Sequence, residues 1–119
     1  MTEAKTYAWI FLAASAGAST RAVVFREIEA VADGINHAVP THKEMSASIR
    51  WAESKGLIQK VGKQIRLTDE GRAFAAQFAE KSESAMKSWD HITAAFERMG
   101  ADNAIDLDCR TMEASQENK

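Results

Sequence analysis

From Tyr7 the chain reads "YAWIFLAASAG", with Tyr7, Ile10, Phe11 and Ala14 at steps of three and four. That spacing predicts a first helix over about residues 4 to 16, short, mostly apolar and stopped by Gly17. After "GAST", Val24, Ile28, Val31, Ala32 and Ile35 keep the helical period while Arg26, Glu27, Glu29 and Asp33 fall on the other side. A second helix over about residues 20 to 36, with one buried stripe, follows. Pro40 separates it from a third, over about residues 41 to 55, which opens on "THKE". Thr41 accepts from the backbone three residues on and Glu44 reaches back, a capping box that sets the start. Met45, Ile49, Ala52 and Gly56 share one line of this helix, and Gly56 suits a left-handed cap. Lys43, Ser46, Ala47, Arg50 and Ser54 share the other: two long bases among short side chains, a face that another rigid body can approach closely.

The pattern then changes period. "GLIQKV" and "QIRLT" are short β-prone runs joined by "GK", which predicts a tight hairpin over about residues 57 to 67 with Ile58 and Val61 set against Ile65 and Leu67. Thr68 caps a fourth helix whose first turn carries Asp69 and Glu70, where negative charge complements the helix dipole. Phe74 and Phe78 face inward from it. Ala85, Trp89, Ile92, Phe96 and Met99 continue a three-four pattern as far as Gly100, so residues 69 to 99 form one long helix or two joined near residues 82 to 84. "NAIDLDC", residues 103 to 109, alternates like an edge strand and is equally consistent with an unstructured tail. The expected organisation is a domain over residues 1–81, a C-terminal helix over 82–100 and a tail over 101–119. The expected class is mainly α with a small β-hairpin.

Composition narrows what this framework does. A chain of 119 residues, 45% hydrophobic, holds one compact domain with its own core. The net charge of −2 excludes a general polycation, so contact with nucleic acid has to rest on a local patch. Such a patch exists: residues 37–72 carry seven Lys and Arg against four acids, while residues 73–119 carry five against nine. Cys109 is the single cysteine, which excludes an internal disulfide and a thiolate zinc site and fits a reducing cytoplasm. The N-terminal apolar run is too short for a membrane span, so a soluble, leaderless cytoplasmic protein is expected. No phosphate-binding glycine loop and no nucleophile with a base is present, so neither an enzyme nor a cofactor is expected. His37, His42 and His91 lack the spacing of a metal site; His37 is expected to end a helix and His42 to face solvent.

The order helix, helix, capped helix, "KGLI", hairpin, "LTDEGR", helix resembles the winged helix-turn-helix domain of bacterial regulators of the MarR and PadR type. The likeness is closest over "SIRWAESKGLIQKVGKQIRLTDEGRAFA", Ser48 to Ala75. It departs from the MarR pattern in its brief first helix and long second one. The resemblance implies that the third helix occupies the recognition position and residues 57–67 the wing, with double-stranded DNA as partner. In that arrangement Thr41, His42, Lys43, Ser46, Ala47 and Arg50 meet bases and phosphates from the helix, and Lys60, Lys63 and Arg66 meet the backbone from the wing. The plainer alternative is that these are ordinary solvated positions; coincidence of charge with the groove-facing side favours DNA. A winged-helix module that binds protein instead is the second reading. Trp51, on the flank of the third helix, has DNA, another subunit or the hairpin as possible partners, with packing favoured. Ala85, Trp89, Ile92, Phe96 and Met99 are either core against the first helix or one half of a homodimer seam, and the seam is the expectation, because a core of this size has limited apolar surface.

Overall fold

The computed structural model describes residues 2–18, 21–81 and 84–101. Among them are five helices and one two-stranded antiparallel hairpin, in the order α1 (Glu3–Ala18), α2 (Phe25–Asn36), α3 (His42–Ser54), β1 (Ile58–Val61), β2 (Gln64–Leu67), α4 (Asp69–Lys81) and α5 (Ala85–Arg98). The 103–109 segment and the rest of the tail lie outside the described residues.

The first helix is the centre of the molecule. Ala4, Tyr7, Ala8, Trp9, Ile10, Phe11, Ala13 and Ala14 are all buried, which leaves almost no polar face. A helix apolar nearly all round is stable only when surrounded, and α1 packs against α2, α3, α4 and α5 in turn. Two indole hydrogen bonds lock its neighbours in place: Trp9 Nε1 donates to the Ala32 carbonyl at 2.9 Å, and Trp89 Nε1 donates to the Lys5 carbonyl at 2.8 Å. Gly17 does not stop α1, which runs one residue further, to Ala18.

The second helix starts at Phe25, later than its periodicity predicts. Val23 is extended instead and forms a closed antiparallel pair with Ile65 of β2, N–H to carbonyl at 2.8 and 2.7 Å. Helical periodicity in "RAVVFREI" is thus overridden by a tertiary strand pairing, and Val24, expected on the buried stripe, is exposed at the helix start. His37 closes α2 in the left-handed conformation at φ 56°, its N–H bonded to the Asp33 carbonyl. Gly34 sits inside this helix with open space where a Cβ would go. Gly34→Ala removes backbone freedom only from the unfolded chain, so a gain of about 0.5–1 kcal/mol is expected in urea denaturation.

The third helix has the capping box its sequence predicts: Thr41 Oγ1 accepts from the Glu44 N–H at 3.0 Å, and the Thr41 N–H donates to Glu44 Oε1 at 2.9 Å. Met45, Ile49 and Ala52 are buried, and Gly56 follows the helix at φ 77°. The hairpin pairs Ile58 with Leu67, Gln59 with Arg66, Lys60 with Ile65 and Val61 with Gln64, turning through Gly62 at φ 64°. Strand side chains alternate between faces, so Val61 cannot share the buried face of Ile58; it is half exposed, contrary to the expected pairing.

Two helices follow the hairpin. The fourth is capped by Thr68, whose Oγ1 accepts from the Gly71 N–H at 2.9 Å, and α5 is capped by Ser84, whose Oγ accepts from the Lys87 N–H at 3.2 Å. Trp89, Ile92 and Phe96 are buried in this chain's own core against α1, while Met99 is partly buried there and Ala85 is exposed. Three of the five residues expected to form a dimer seam, Trp89, Ile92 and Phe96, are therefore core within one chain. Burying a side chain of this size is worth about 1.5–3 kcal/mol, and the all-apolar α1 supplies the surface to do it. Trp51 likewise turns inward, stacking on Tyr7 at 5.5 Å between ring centroids and touching Phe96 at 4.6 Å.

Candidate nucleic-acid interface

Packing of Met45, Ile49, Trp51 and Ala52 against α1 leaves one face of α3 outward. Lys43 and Arg50 on it are exposed, and Ser46 and Ala47 between them are half-buried. Residues at these three- and four-residue steps are neighbours on a helix surface. His42 is exposed at the start of the same helix, its Nε2 3.4 Å from Ser46 Oγ and its ring 6.5 Å from that of Phe25. Thr41 is exposed, and its hydroxyl oxygen is engaged as the helix cap.

The hairpin rises beside this face. Phe25, Ser46, Ile49, Arg50, Glu53 and Lys60 line one small cleft of about 130 Å³. A larger one of about 590 Å³, sharing Phe25 and Lys60, is lined by Val24, Arg26, Gly62 and Lys63 as well. The start of α2, the outer face of α3 and the hairpin tip thus meet along a continuous depression. Four cations border it, Arg26, Arg50, Lys60 and Lys63, with a single acid, Glu53. None of these four, nor Lys43 or Arg66, forms an ion pair among the described residues.

Arg66 is not brought into the cleft. It pairs with Gln59 in the register, one step from Lys60 and Ile65, so it stands on the opposite face of the hairpin. Two other bases of the cluster serve elsewhere. Lys55 lies over the Trp51 ring at 5.7 Å, and Arg72 donates to the Leu67 carbonyl and pairs with Asp69.

Sequence periodicity missed Phe25 and Arg26 because it ran α2 back to residue 20. The signal was the β-prone triplet Val23-Val24-Phe25 ahead of the first acidic turn. With Val23 pinned to Ile65, the first turn of α2 is pulled to the hairpin and Arg26 comes with it. Glu27 secures that turn. Its Oε1 accepts from the Val24 N–H at 3.1 Å and its Oε2 from Arg21 at 2.8 Å. The Arg21 hydrogen bond first, and the Val24 N–H second, hold the Glu27 carboxyl below its ordinary range.

Among the described residues no group of His, Cys, Asp and Glu is placed to hold a metal ion, and no helix is long and apolar enough to cross a membrane. Comparison with protein families, with curated proteins and with solved structures finds no match for this chain.

Proposed function

We propose that the chain is a DNA-binding transcriptional regulator of winged-helix type, with α3 in the major groove and the β1–β2 hairpin along the backbone. The observation that carries this reading is the shared cleft, where Ser46 and Arg50 of α3 and Lys60 and Lys63 of the hairpin converge with Arg26. Charge clustering in sequence has no functional meaning by itself; convergence of unpaired cations from three elements on one depression does. The Val23–Ile65 pairing supports the reading, since it holds the hairpin upright beside α3 by two backbone hydrogen bonds. A homodimer placing two copies of α3 in successive major grooves, about 34 Å apart, suits such a regulator. With Trp89, Ile92 and Phe96 already buried, its contact has to come from another surface.

Each base then acts through a separable physical effect. Lys63, at the hairpin tip, meets phosphate: Lys63→Ala is expected to weaken all duplexes alike and to lower the salt slope by about one unit. Arg50 presents a bidentate fork from the middle of the exposed face, so Arg50→Ala is expected to cost about 1–3 kcal/mol on the preferred site and to relax preference there. Arg66→Ala, on the far face of the hairpin, is expected to change little. Fluorescence anisotropy with labelled duplexes selected from random sequence, at two salt concentrations, measures all three. Absence of binding to any duplex at low salt overturns the proposal and leaves the same face to a protein partner.

A further inference from the structure

The depression bordered by Arg26, Arg50, Lys60 and Lys63 holds one acid, Glu53. Glu53 is exposed near the end of α3 and lines the small cleft with Ser46 and Arg50 of its own helix, Phe25 of α2 and Lys60 of the hairpin. Its backbone carbonyl accepts from the Gly56 N–H at 3.0 Å, which ties the main chain down at this point. The carboxylate itself caps no helix and closes no ion pair among the described residues, although two bases border the same cleft.

A carboxylate placed there works against a phosphate backbone. It repels each phosphate that the neighbouring cations attract, and it does so whatever the base sequence. What it can give to DNA is limited by its chemistry, because an ionised carboxylate only accepts hydrogen bonds. On the major-groove edges guanine shows acceptors at N7 and O6, thymine shows an acceptor at O4, and adenine sets its N6 donor beside the N7 acceptor. Cytosine shows the N4 donor alone, so it is the base a carboxylate meets without facing a second acceptor. Arg50, whose fork suits guanine, lies three residues earlier and is a neighbour of Glu53 on the helix surface. Three residues of helix rise about 4.5 Å, which is between one and two base-pair steps of about 3.4 Å.

We infer that Glu53 is a specificity-determining residue of the α3 face, accepting from the N4 amino group of a cytosine about one or two base pairs from the guanine that Arg50 reads. This rests on the DNA-binding reading above. The charge of Glu53 lowers affinity for every duplex, and the cytosine contact offsets that loss only where the cytosine is present. Discrimination then comes from repulsion at the wrong site as well as attraction at the right one.

Selection of bound sequences from random duplex DNA, followed by anisotropy titration, tests this on the full chain and on Glu53→Gln and Glu97→Gln. Glu97 is exposed on α5 and outside the cleft lining, so its substitution makes the same change in net charge away from the site. The parent is expected to enrich the cytosine and to disfavour other bases there by about tenfold. Glu53→Gln is expected to lose that preference and gain one for adenine, which an amide reads through N6 and N7, while binding duplex without the cytosine about threefold more tightly. Glu97→Gln is expected to keep the preference and the affinity of the parent. Circular dichroism confirms that both variants fold. A parent that binds no duplex sinks the DNA-binding reading and this inference with it. A parent that binds while Glu53→Gln keeps its base preference, or while Glu97→Gln tightens binding equally, overturns this inference alone.

Discussion

Trp89→Ala is expected to destabilise the fold by about 3–5 kcal/mol, the cost of truncating a fully buried tryptophan. The ring is 2% exposed, tilts against Trp9 at 6.2 Å between centroids, and lies beneath the Lys5 ammonium at 4.7 Å. Its Nε1 donates to the Lys5 carbonyl, a contact that joins the first turn of α1 to α5 across 84 residues of sequence. Alanine removes the ring, the hydrogen bond and the cation–π contact together. Trp89→Phe keeps most of the apolar body and is expected to lose about 1 kcal/mol with the hydrogen bond, beyond any repacking. Urea denaturation at two protein concentrations a hundredfold apart is the measurement. For a residue that serves the core of one chain, the loss is the same at both; a midpoint that moves with concentration returns Trp89 to a subunit interface.

The second large effect is expected at Gly71. A Cβ at this position runs directly into the Leu57 carbonyl, 2.9 Å from its carbon and inside contact with its oxygen. That carbonyl is not free to retreat, because it accepts the Thr68 N–H at 3.1 Å. Thr68 in turn donates its hydroxyl to the Gly56 carbonyl at 2.6 Å while accepting from the Gly71 N–H. The residues of "KGLI" and "LTDEG" are therefore two halves of one clasp that shuts the base of the hairpin and starts α4. Gly71→Ala is expected to cost about 3 kcal/mol, at the upper end of overpacking penalties, where Gly34→Ala gains. A thermal melt of both variants beside the parent separates the backbone clash at one glycine from the entropy effect at the other.

That clasp shows why part of the fold is legible in the chain and part is not. Capping at Thr41, the turn at Gly62, the left-handed Gly56 and the start of α4 at Thr68 are local devices, written in adjacent residues and governed by backbone geometry that neighbours decide. Periodicity placed Met45, Ile49 and Ala52 on the inner line of α3 for the same reason, and so placed Lys43 and Arg50 outside. Some errors are local, as at Gly17 and Val61, and others lie where a distant segment intervenes. Val23 lies inside the span read as α2 and becomes a strand partner because Ile65 is there to bond it. Arg66 lies within the same basic run as Lys60 and Lys63, yet strand parity sends it to the other face.

The chain by itself therefore determined the capped start of α3, its hairpin and which face of α3 carries charge, since short-range sterics and hydrogen bonding settle these within a few residues, while the start of α2 and the division of residues 69–99 into two helices were not legible in it. It also carried the stripe on α5 without saying what covers it. An apolar stripe attracts any apolar surface, because burial is non-directional, and only the tertiary arrangement supplies the particular surface. Here that surface is α1, apolar nearly all round, which takes α5 as one of its covering helices and turns Trp89, Ile92 and Phe96 of the expected seam between chains into core. Tertiary structure also decided which cations converge, by tying Val23 to Ile65 and drawing Arg26 to the hairpin. Charge acts through space, and distances between side chains far apart in sequence exist only once the chain has folded.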